Sequence, residues 1–503
     1  MMKTQSRLKG IFLSYGVTAA RSITQLLLTS LYIKKLGLDG YGFYQYIYSI
    51  ASCAIIFDFG ISSVVNKYYI EYREQGKQRE MENSLFYCLL LSVAGVLLIL
   101  GLGSVAFFGA GAIFDTASPD QTLLAKKLLV FIVLYLSSLL SQHFFEGVLM
   151  ANERYVTLKA VALSQIFIKC ILVVALLFSD FGVLSIAFSD FVSAFLCLIF
   201  MAGYAFITLK VKVRFHYLDR KLIKDIVVLA VALCAQSIIL YLNTSIDKYV
   251  VGRIIGTAAV SMYSIALTLS SFFDEVPTVI QRLYLPQAVK LVTNGASGEE
   301  LTDFIIQPGR YQFVLCGGIF GAFLLFGTDF ITLWTDVTSY EPWLTAILLM
   351  GASIIPLCQN VGLAILTAMN KRMFRSVCLG IAALVNLALT IFMVREFGLV
   401  GAPIGTFIAL IICNNVIMNL YYRKIGINVR RLFREIFSKL IFVLLSTVLI
   451  SSPLLFIGTV NILTFATKCT VYVAVYAILL WFFGFNQQEK SSIKKFLPCV
   501  RKR

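Results

Sequence analysis

Charged and metal-binding residues are scarce in this 503-residue sequence. Asp, Glu, Lys and Arg make up only 14% of it, and there are only two histidines, His143 and His216. Soluble domains carry about a quarter charged residues, so this chain has too few to coat a water-facing globule. HExxH, CxxC, GxSxG and Walker-type motifs are absent as well. We therefore expect neither a metal site nor nucleophilic catalysis.

The 11 cysteines do not indicate a disulfide framework. All but Cys499 fall within strongly apolar stretches, where a cysteine packs as a small hydrophobic residue. We therefore expect free thiols.

Long hydrophobic runs are what the sequence has in abundance. Hydrophobic residues make up 59% of it, and many are collected in runs of the ~20 residues that an α-helix needs to cross a bilayer. These runs predict an all-α integral membrane protein with about 14 transmembrane helices. The first run has no small-residue cleavage site, so we expect an uncleaved span. The predicted spans lie near residues 10–33, 42–66, 83–108, 128–151, 157–178, 182–208, 224–246, 258–282, 311–334, 343–367, 374–394, 400–421, 440–458 and 461–484.

The basic residues indicate how these spans are oriented. The formal net charge is +17, and most of the 43 Lys and Arg residues fall at the termini and in the even-numbered loops, with large groups at 210–224, 423–439 and 490–503. Because positive loops stay on the cytoplasmic side, we predict that both termini are cytoplasmic. The same groups would attract anionic membrane lipids, and we expect no nucleic-acid partner.

The chain also repeats itself. The tetrapeptide Tyr-Ser-Ile-Ala at 48–51 recurs at 263–266, and the Phe-Gly pair at 181–182 recurs at 397–398 with nearly the same offset. About six spans separate equivalent points, so the halves should have the same orientation, as in alternating-access transporters. We predict an N-terminal lobe at 1–215, a C-terminal lobe at 216–425, peripheral helices at 426–486 and a basic cytoplasmic tail at 487–503.

Four stretches resemble a known transporter family. They are NTSIDKYVVGRIIGTAAVSMYSIA at 243–266, VNLALTIFMVREFGLVGAPIGTFIA at 385–409, KKLGLDGYGFYQ at 34–45 and FDFGI at 57–61. Together with the span count they resemble the polysaccharide transporter (Wzx-type oligosaccharide flippase) branch of the multidrug/oligosaccharidyl-lipid/polysaccharide exporter superfamily. One departure is Gly401-Ala402-Pro403, where the family has Gly-Ala-Ala.

The resemblance implies a flippase for undecaprenyl-pyrophosphate-linked oligosaccharide repeat units in a bacterial cytoplasmic membrane. Such units serve O-antigen, capsule, exopolysaccharide or wall polysaccharide. It also implies two six-helix lobes around a cavity, two peripheral C-terminal helices, and a polysaccharide polymerase and chain-length machinery as partners. No cofactor is implied, and protons and sodium ions are the candidate coupling ions.

Other functions stay open from the sequence. A cation-coupled multidrug or metabolite exporter can share this fold, although such exporters usually have fewer spans. A membrane polysaccharide polymerase or ligase would carry a large external loop with catalytic charges, and the predicted external loops are short. A lipid scramblase or structural organiser would not need charges buried in both lobes. We therefore expect a transporter and no enzyme.

Positive residues within the predicted spans are candidate substrate ligands, because an ionised side chain costs about 2.5–3.5 kcal/mol at the bilayer centre. Arg21 lies deep in the first span, and its planar guanidinium suits a pyrophosphate; the alternative is an ion pair, for instance with Asp58. Lys169, in the fifth span, would add a second positive charge to the same lobe. Gln236, the repeat equivalent of Arg21, is also assigned to substrate binding; because it is neutral, the positive charge belongs to the N-terminal lobe. Lys468, in the last span, would snorkel or pair.

Tyrosines collect near the outer ends of four predicted spans. Most should belong to the interfacial aromatic belt, but any that face the cleft would stack on sugar rings. We assign the repeat-equivalent pair Tyr48 and Tyr263 to substrate binding. The whole group comprises Tyr32, Tyr44, Tyr48, Tyr241, Tyr249 and Tyr263.

Acidic residues within the spans are candidates for coupling or gating. Asp58 aligns with Asp274, which Glu275 follows, so each lobe would place a carboxylate at a similar depth. Two facing carboxylates would perturb each other's proton affinity; alternatively, each pairs within its own lobe. Asp190 in the sixth span is a further candidate, and Glu146, near the cytoplasmic end of the fourth, would act at a gate or as a helix cap.

Overall fold

The computed structural model describes residues 2–113, 118–459, 461–487 and 489–491, and these ranges contain helices and connecting loops but no strand. The chain forms two compact units, Met1–Ser264 and Ile265–Arg503. The predicted lobe boundaries at 215/216 and 425/426 stay a prediction. Most of the predicted tail at 487–503 lies outside the described residues.

The described part of the N-terminal unit contains nine α-helices and the start of a tenth. A 3₁₀ segment at Ser52–Asp58 and a π-helical turn at Tyr204–Thr208 interrupt the regular helices. The helices are α1 (Met2–Ala51), α2 (Ile61–Glu74), α3 (Gln78–Phe108), α4 (Ala110–Ile113), α5 (Pro119–Ala151), α6 (Tyr155–Leu177), α7 (Leu184–Gly203), α8 (Arg220–Thr244), α9 (Ile246–Ile254) and α10 (Thr257–Thr293).

In the C-terminal unit, the described residues form the end of α10 and eight further α-helices. Short 3₁₀ segments at Gly398–Val400 and Ser452–Phe456 and π-helical turns at Ile411–Ile417 and Leu480–Gly484 join or extend them. The helices are α11 (Gly298–Thr335), α12 (Glu341–Cys358), α13 (Asn360–Ala368), α14 (Arg372–Phe397), α15 (Gly401–Leu410), α16 (Met418–Lys424), α17 (Val429–Ser451) and α18 (Ile462–Leu479).

Eleven helical segments of the described chain are long and apolar enough to cross a membrane. Two of them, Gly16–Glu74 and Met373–Lys424, hold two predicted spans each and are interrupted at Gly37 and Gly398, which have φ angles of 74° and 62°. Large hydrophobic side chains point outward, as in Leu449, which is 72% exposed. Such a surface suits lipid and not water. The prediction of an all-α integral membrane protein is confirmed.

The second predicted span is broken at Asp58. Helix α1 ends at Ala51, and the 3₁₀ segment follows it. Phe59 and Gly60 then adopt left-handed backbone conformations, with φ angles of 51° and 57°. Glycine is required at position 60 for two reasons. Its φ is left-handed, and a Cβ there would collide with Leu233 of α8. The break leaves Asp58 at the end of the 3₁₀ segment.

Helix α5 is the central helix of the N-terminal unit. It packs against α2, α3 and α7, and its Leu128 and Leu149 are fully buried. Helix α1 packs against α5 and α6, and α6 packs against α7. The helices that carry Arg21, Lys169 and Asp190 are therefore neighbours.

Helix α11 holds the corresponding position in the C-terminal unit. It packs against α12, α17 and α18, and Phe313 meets Phe437 of α17 edge to face with 5.2 Å between ring centroids. Buried cysteines such as Cys316 and Cys358 belong to the apolar interior of this unit. In the described part of the chain all ten cysteines are free thiols, as predicted.

Candidate functional site

Lys169, Asp190 and Tyr44 form a polar cluster inside the N-terminal unit. The Lys169 ammonium on α6 lies 2.5 Å from Oδ1 of Asp190 on α7, and the Tyr44 hydroxyl on α1 donates to Oδ2 over 2.9 Å. Both carboxylate oxygens of Asp190 therefore have a partner, although its side chain is only 7% exposed. The Lys169 side chain is 31% exposed and has N–H donors to spare. We call these three residues the N-terminal polar cluster.

Tyrosine rings surround this cluster. Tyr44 lies 6.0 Å from Tyr48, centroid to centroid, and Tyr32 stacks on Tyr41 at 5.7 Å. The Tyr32 hydroxyl is buried and has no hydrogen-bond partner among the described residues. Because an unpaired buried hydroxyl is costly, it marks a place where a ligand hydroxyl or phosphate oxygen would be stabilised.

Arg21 lies in the part of α1 before the interruption at Gly37, Tyr44 lies in the part after it, and the Arg21 side chain is exposed. Within the described ranges it has neither an ion pair nor a hydrogen bond. Arg21 is close enough to Tyr135 of α5 to act electrostatically on the Tyr135 hydroxyl. Asp190 and Tyr48 act on the same hydroxyl. The structure thus brings Arg21 and the N-terminal polar cluster around Tyr135. The alternative of an Arg21–Asp58 ion pair is wrong for this structure, because Asp58 is paired with another residue.

That residue is His143 of α5. Its Nδ1 lies 2.7 Å from Oδ1 of Asp58, and the His143 and Asp58 side chains are 36% and 25% exposed. Glu146, three residues further along α5, also acts on the ring electrostatically. Sequence reasoning missed His143 because one histidine in an apolar run carries no pattern; its proximity to Asp58 arises only when α5 packs beside the break.

A protein-family model matches the N-terminal part of the chain. The family described as "Polysaccharide biosynthesis protein" matches residues 7–281, which is more than half of the chain. The chain belongs to this family. The matched region contains Arg21, the N-terminal polar cluster and the Asp58–His143 pair.

Several solved structures have a fold similar to that of this chain. The lipid II flippase MurJ in its inward closed conformation is similar over 93% of this chain and 98% of that chain, with a TM-score of 0.73 and 17% identity. An inward-facing multidrug resistance MATE transporter of the MOP superfamily is similar over 83% and 96%, with a TM-score of 0.61 and 14% identity. The Vibrio cholerae MATE transporter VcmN in its bent form is similar over 87% and 100%, with a TM-score of 0.54 and 16% identity.

At these identities the likeness shows the fold alone. The search of curated proteins finds no match. The chain is therefore a multi-pass membrane protein of this family, and its fold resembles those of MurJ and the MATE transporters.

Other residues predicted for the site lie on α8 and α10. Gln236 is exposed on α8. Tyr263 is buried, and its hydroxyl donates to Asp247 over 2.9 Å, a partner that sequence reasoning missed. Asp274 belongs to the C-terminal unit, where its Oδ1 is buried without a partner among the described residues, and the neighbouring Glu275 is exposed.

The facing arrangement of Asp58 and Asp274 stays a prediction, since the two residues belong to different compact units. The alternative, in which each acid pairs within its own half, holds for Asp58, whose partner is His143. Lys468 of α18 also pairs, with Asp329 at 2.9 Å and Thr459 at 2.6 Å. Of its two predicted roles, the structure shows the pairing one.

Chemically, the N-terminal unit offers two different groups of polar residues. Around Tyr135 it places a guanidinium, an ammonium–carboxylate pair and several phenol rings. At the break in the second span it places a carboxylate and an imidazole. The first group suits an anion carried on a sugar, because guanidinium and ammonium bind phosphate while phenols stack on sugar faces. The second suits a proton.

Proposed function

We propose that this transporter moves undecaprenyl-pyrophosphate-linked oligosaccharide repeat units from the cytoplasmic to the outer leaflet of a bacterial cytoplasmic membrane by alternating access. The observation that carries the proposal is Arg21, which has no partner among the described residues and lies beside the N-terminal polar cluster, within the region matched by a polysaccharide biosynthesis family. The similar fold of MurJ, a lipid II flippase, supports the same class of substrate.

The roles follow from charge and exposure. Arg21, which no described carboxylate neutralises, would bind the pyrophosphate through two oxygens. Lys169 would contribute its spare N–H donors while Asp190 holds its ammonium in place. Tyr48 and the unpaired Tyr32 hydroxyl would contact the sugar, the first by stacking and the second by a hydrogen bond.

The proposal also includes orientation and partners. Both termini would lie in the cytoplasm, as the distribution of basic residues predicts. The product in the outer leaflet would be O-antigen, capsule, exopolysaccharide or wall polysaccharide precursor. A polysaccharide polymerase and its chain-length machinery would take it up there.

Deletion of the gene in the native host tests the function. We expect undecaprenyl-linked oligosaccharide to accumulate in lipid extracts and surface polysaccharide to disappear, and both changes to be reversed by the wild-type gene. Arg21→Ala should be made at normal abundance but restore less than a tenth of the export. Arg21→Lys should restore part of it, because the charge remains while the bidentate geometry is lost.

Arg220→Ala is the matched control, since Arg220 is an exposed arginine at the start of α8 and should be dispensable. Unchanged lipid-linked pools together with altered drug resistance would instead identify a multidrug exporter. Full export by a well-expressed Arg21→Ala protein would remove Arg21 from the site.

A further inference from the structure

The break in the second span is unusual backbone for a membrane helix. Regular α-helical bonding ends at Ala51, the 3₁₀ segment ends at Asp58, and the two left-handed residues Phe59 and Gly60 precede α2. A bulky residue such as Phe59 rarely adopts a positive φ, and strained backbone of this kind persists where the surrounding structure holds it. In membrane proteins, non-helical backbone occurs where it is buried in protein or lines a polar cavity, and transporters use broken helices to bind ions.

The side chains at this break form a compact acid–imidazole pair. Asp58 and His143 share a hydrogen bond of 2.7 Å, and each keeps a quarter or more of its side chain exposed. With a neutral imidazole the pair carries one negative charge, and with an imidazolium it carries none. Because a net charge within the bilayer is expensive, binding one proton changes the electrostatic state of this site substantially.

The polar and charged groups near the pair lie on α5 and α2. Glu146 on α5 is the further carboxylate acting on His143. On α2, Ser62 faces Met150 of α5, while Lys67 lies over the ring of Tyr68.

Two other helices approach the break itself. On α3, Gly95 approaches the backbone of Phe57, and on α8 the Cys234 thiol donates to the carbonyl oxygen of Ile56 over 3.2 Å. Arg21 on α1 acts on Tyr135, about two turns from His143 along α5.

The break is also where α8 is attached to the second span. Besides the Cys234 hydrogen bond, Leu233 packs on Gly60, and the Tyr241 hydroxyl donates to the carbonyl oxygen of Ser49 over 3.0 Å. A change of charge at Asp58 therefore acts on backbone that α8 contacts directly. Protonation and movement of α8 can thus be linked without a long chain of intermediates.

We propose that Asp58 and His143 form a proton-binding site that couples transport to the proton gradient. This proposal rests on the proposed transport function. A proton is favoured over sodium because the partner of the carboxylate is a ring nitrogen, whereas hard cations prefer oxygen ligands. Glu146, close to the cytoplasmic end of the same helix, is placed to exchange the proton with the cytoplasm.

Histidine NMR tests the site directly, because the sequence has only two histidines. His216, in the loop before α8, also contacts a carboxylate: its Nε2 lies 2.9 Å from Glu82. In protein labelled with ¹⁵N-histidine in liposomes, we expect a signal that titrates between about pH 5 and 8 and is lost in His143→Asn but not in His216→Asn. Asp58→Asn should change the pH at which that signal moves, and Glu82→Gln should change only the His216 signal.

Export provides the second measurement. His143→Asn and Asp58→Asn, at normal abundance, should lower polysaccharide export at least tenfold and make the residual export insensitive to a protonophore. His216→Asn should export normally and keep its sensitivity. A His143 signal that does not titrate in this range overturns the proposal. So does a His143→Asn protein that exports at the wild-type rate with undiminished protonophore sensitivity, or export that depends on sodium and not on the proton gradient.

The two proposals fail separately. If deletion leaves lipid-linked oligosaccharide unchanged, the proposed substrate is wrong, whereas the titration of His143 in the purified protein is measured without any substrate. A titrating His143 whose loss leaves transport and protonophore sensitivity unchanged would overturn coupling while leaving the flippase intact.

Discussion

The two compact units both contain basic residues within membrane-length helices, but the number of partners of these residues differs. In the C-terminal unit, Arg310 is 4% exposed and makes two bonds to the Glu489 carboxylate, at 2.7 and 3.0 Å, and two more to the carbonyl oxygens of Glu435 and Gly484. In the N-terminal unit, Arg21 has no partner among the described residues and Lys169 has one. A saturated, buried charge holds structure together, whereas an accessible charge with donors to spare can bind a ligand.

The same contrast separates the acids. Glu489 is 4% exposed and also accepts from the backbone nitrogen of Asn486, so it fastens the segment after α18 to α11. Asp58 keeps 25% of its side chain exposed beside a titratable ring. Exposure and spare hydrogen-bonding capacity, and not the mere presence of charge, therefore separate candidate functional residues from structural ones in this protein.

The largest effect on stability should come from breaking the saturated pair. Arg310→Met leaves the Glu489 carboxylate buried without its cation, and breaking a buried pair in this way costs about 3–5 kcal/mol. We expect a clear fall in melting temperature and membrane abundance, measured on detergent-solubilised protein. The double change Arg310→Met with Glu489→Leu should recover most of the loss, since no lone charge stays buried. An unchanged melting temperature for the single variant would contradict the structural role.

The N-terminal polar cluster should show a smaller stability effect and a larger functional one. Lys169→Met leaves Asp190 with only its Tyr44 hydrogen bond, and an imperfectly satisfied group of this kind costs roughly 1–3 kcal/mol. Adding Asp190→Asn should restore the melting temperature while export stays at least tenfold low. Recovery of export along with stability in the double variant would show that the cluster is structural, like the Arg310 pair.

The smallest effect should come from Arg431, which forms the densest set of ion pairs but near the surface. Its guanidinium contacts Glu299 at 2.7 Å, Asp303 at 2.6 Å and Glu435 at 2.8 Å, and the carboxylates of Glu299 and Asp303 are largely exposed. Because water and salt screen such pairs, Arg431→Ala should leave melting temperature and export unchanged within error. A drop comparable to that of Arg310→Met would mean that exposure does not decide the role of a charge here.

Sequence patterns predicted the class of the protein and several members of the site. The long apolar runs required a membrane, and the resemblance of four stretches indicated a polysaccharide transporter before any geometry was considered. Arg21, Lys169, Asp58 and Asp190 were all singled out because a charge within an apolar run is costly wherever the helix packs. That argument depends only on position along the chain.

The sequence by itself thus predicted that these four charged residues lie within membrane spans. Only the tertiary structure decided their partners: Asp190 for Lys169, His143 for Asp58, and none for Arg21 among the described residues. The physical reason is that a partner is set by the rotation and depth of two packed helices. Shifting one helix by a single residue turns a side chain by about 100°, and a one-dimensional pattern does not record the packing that selects the rotation.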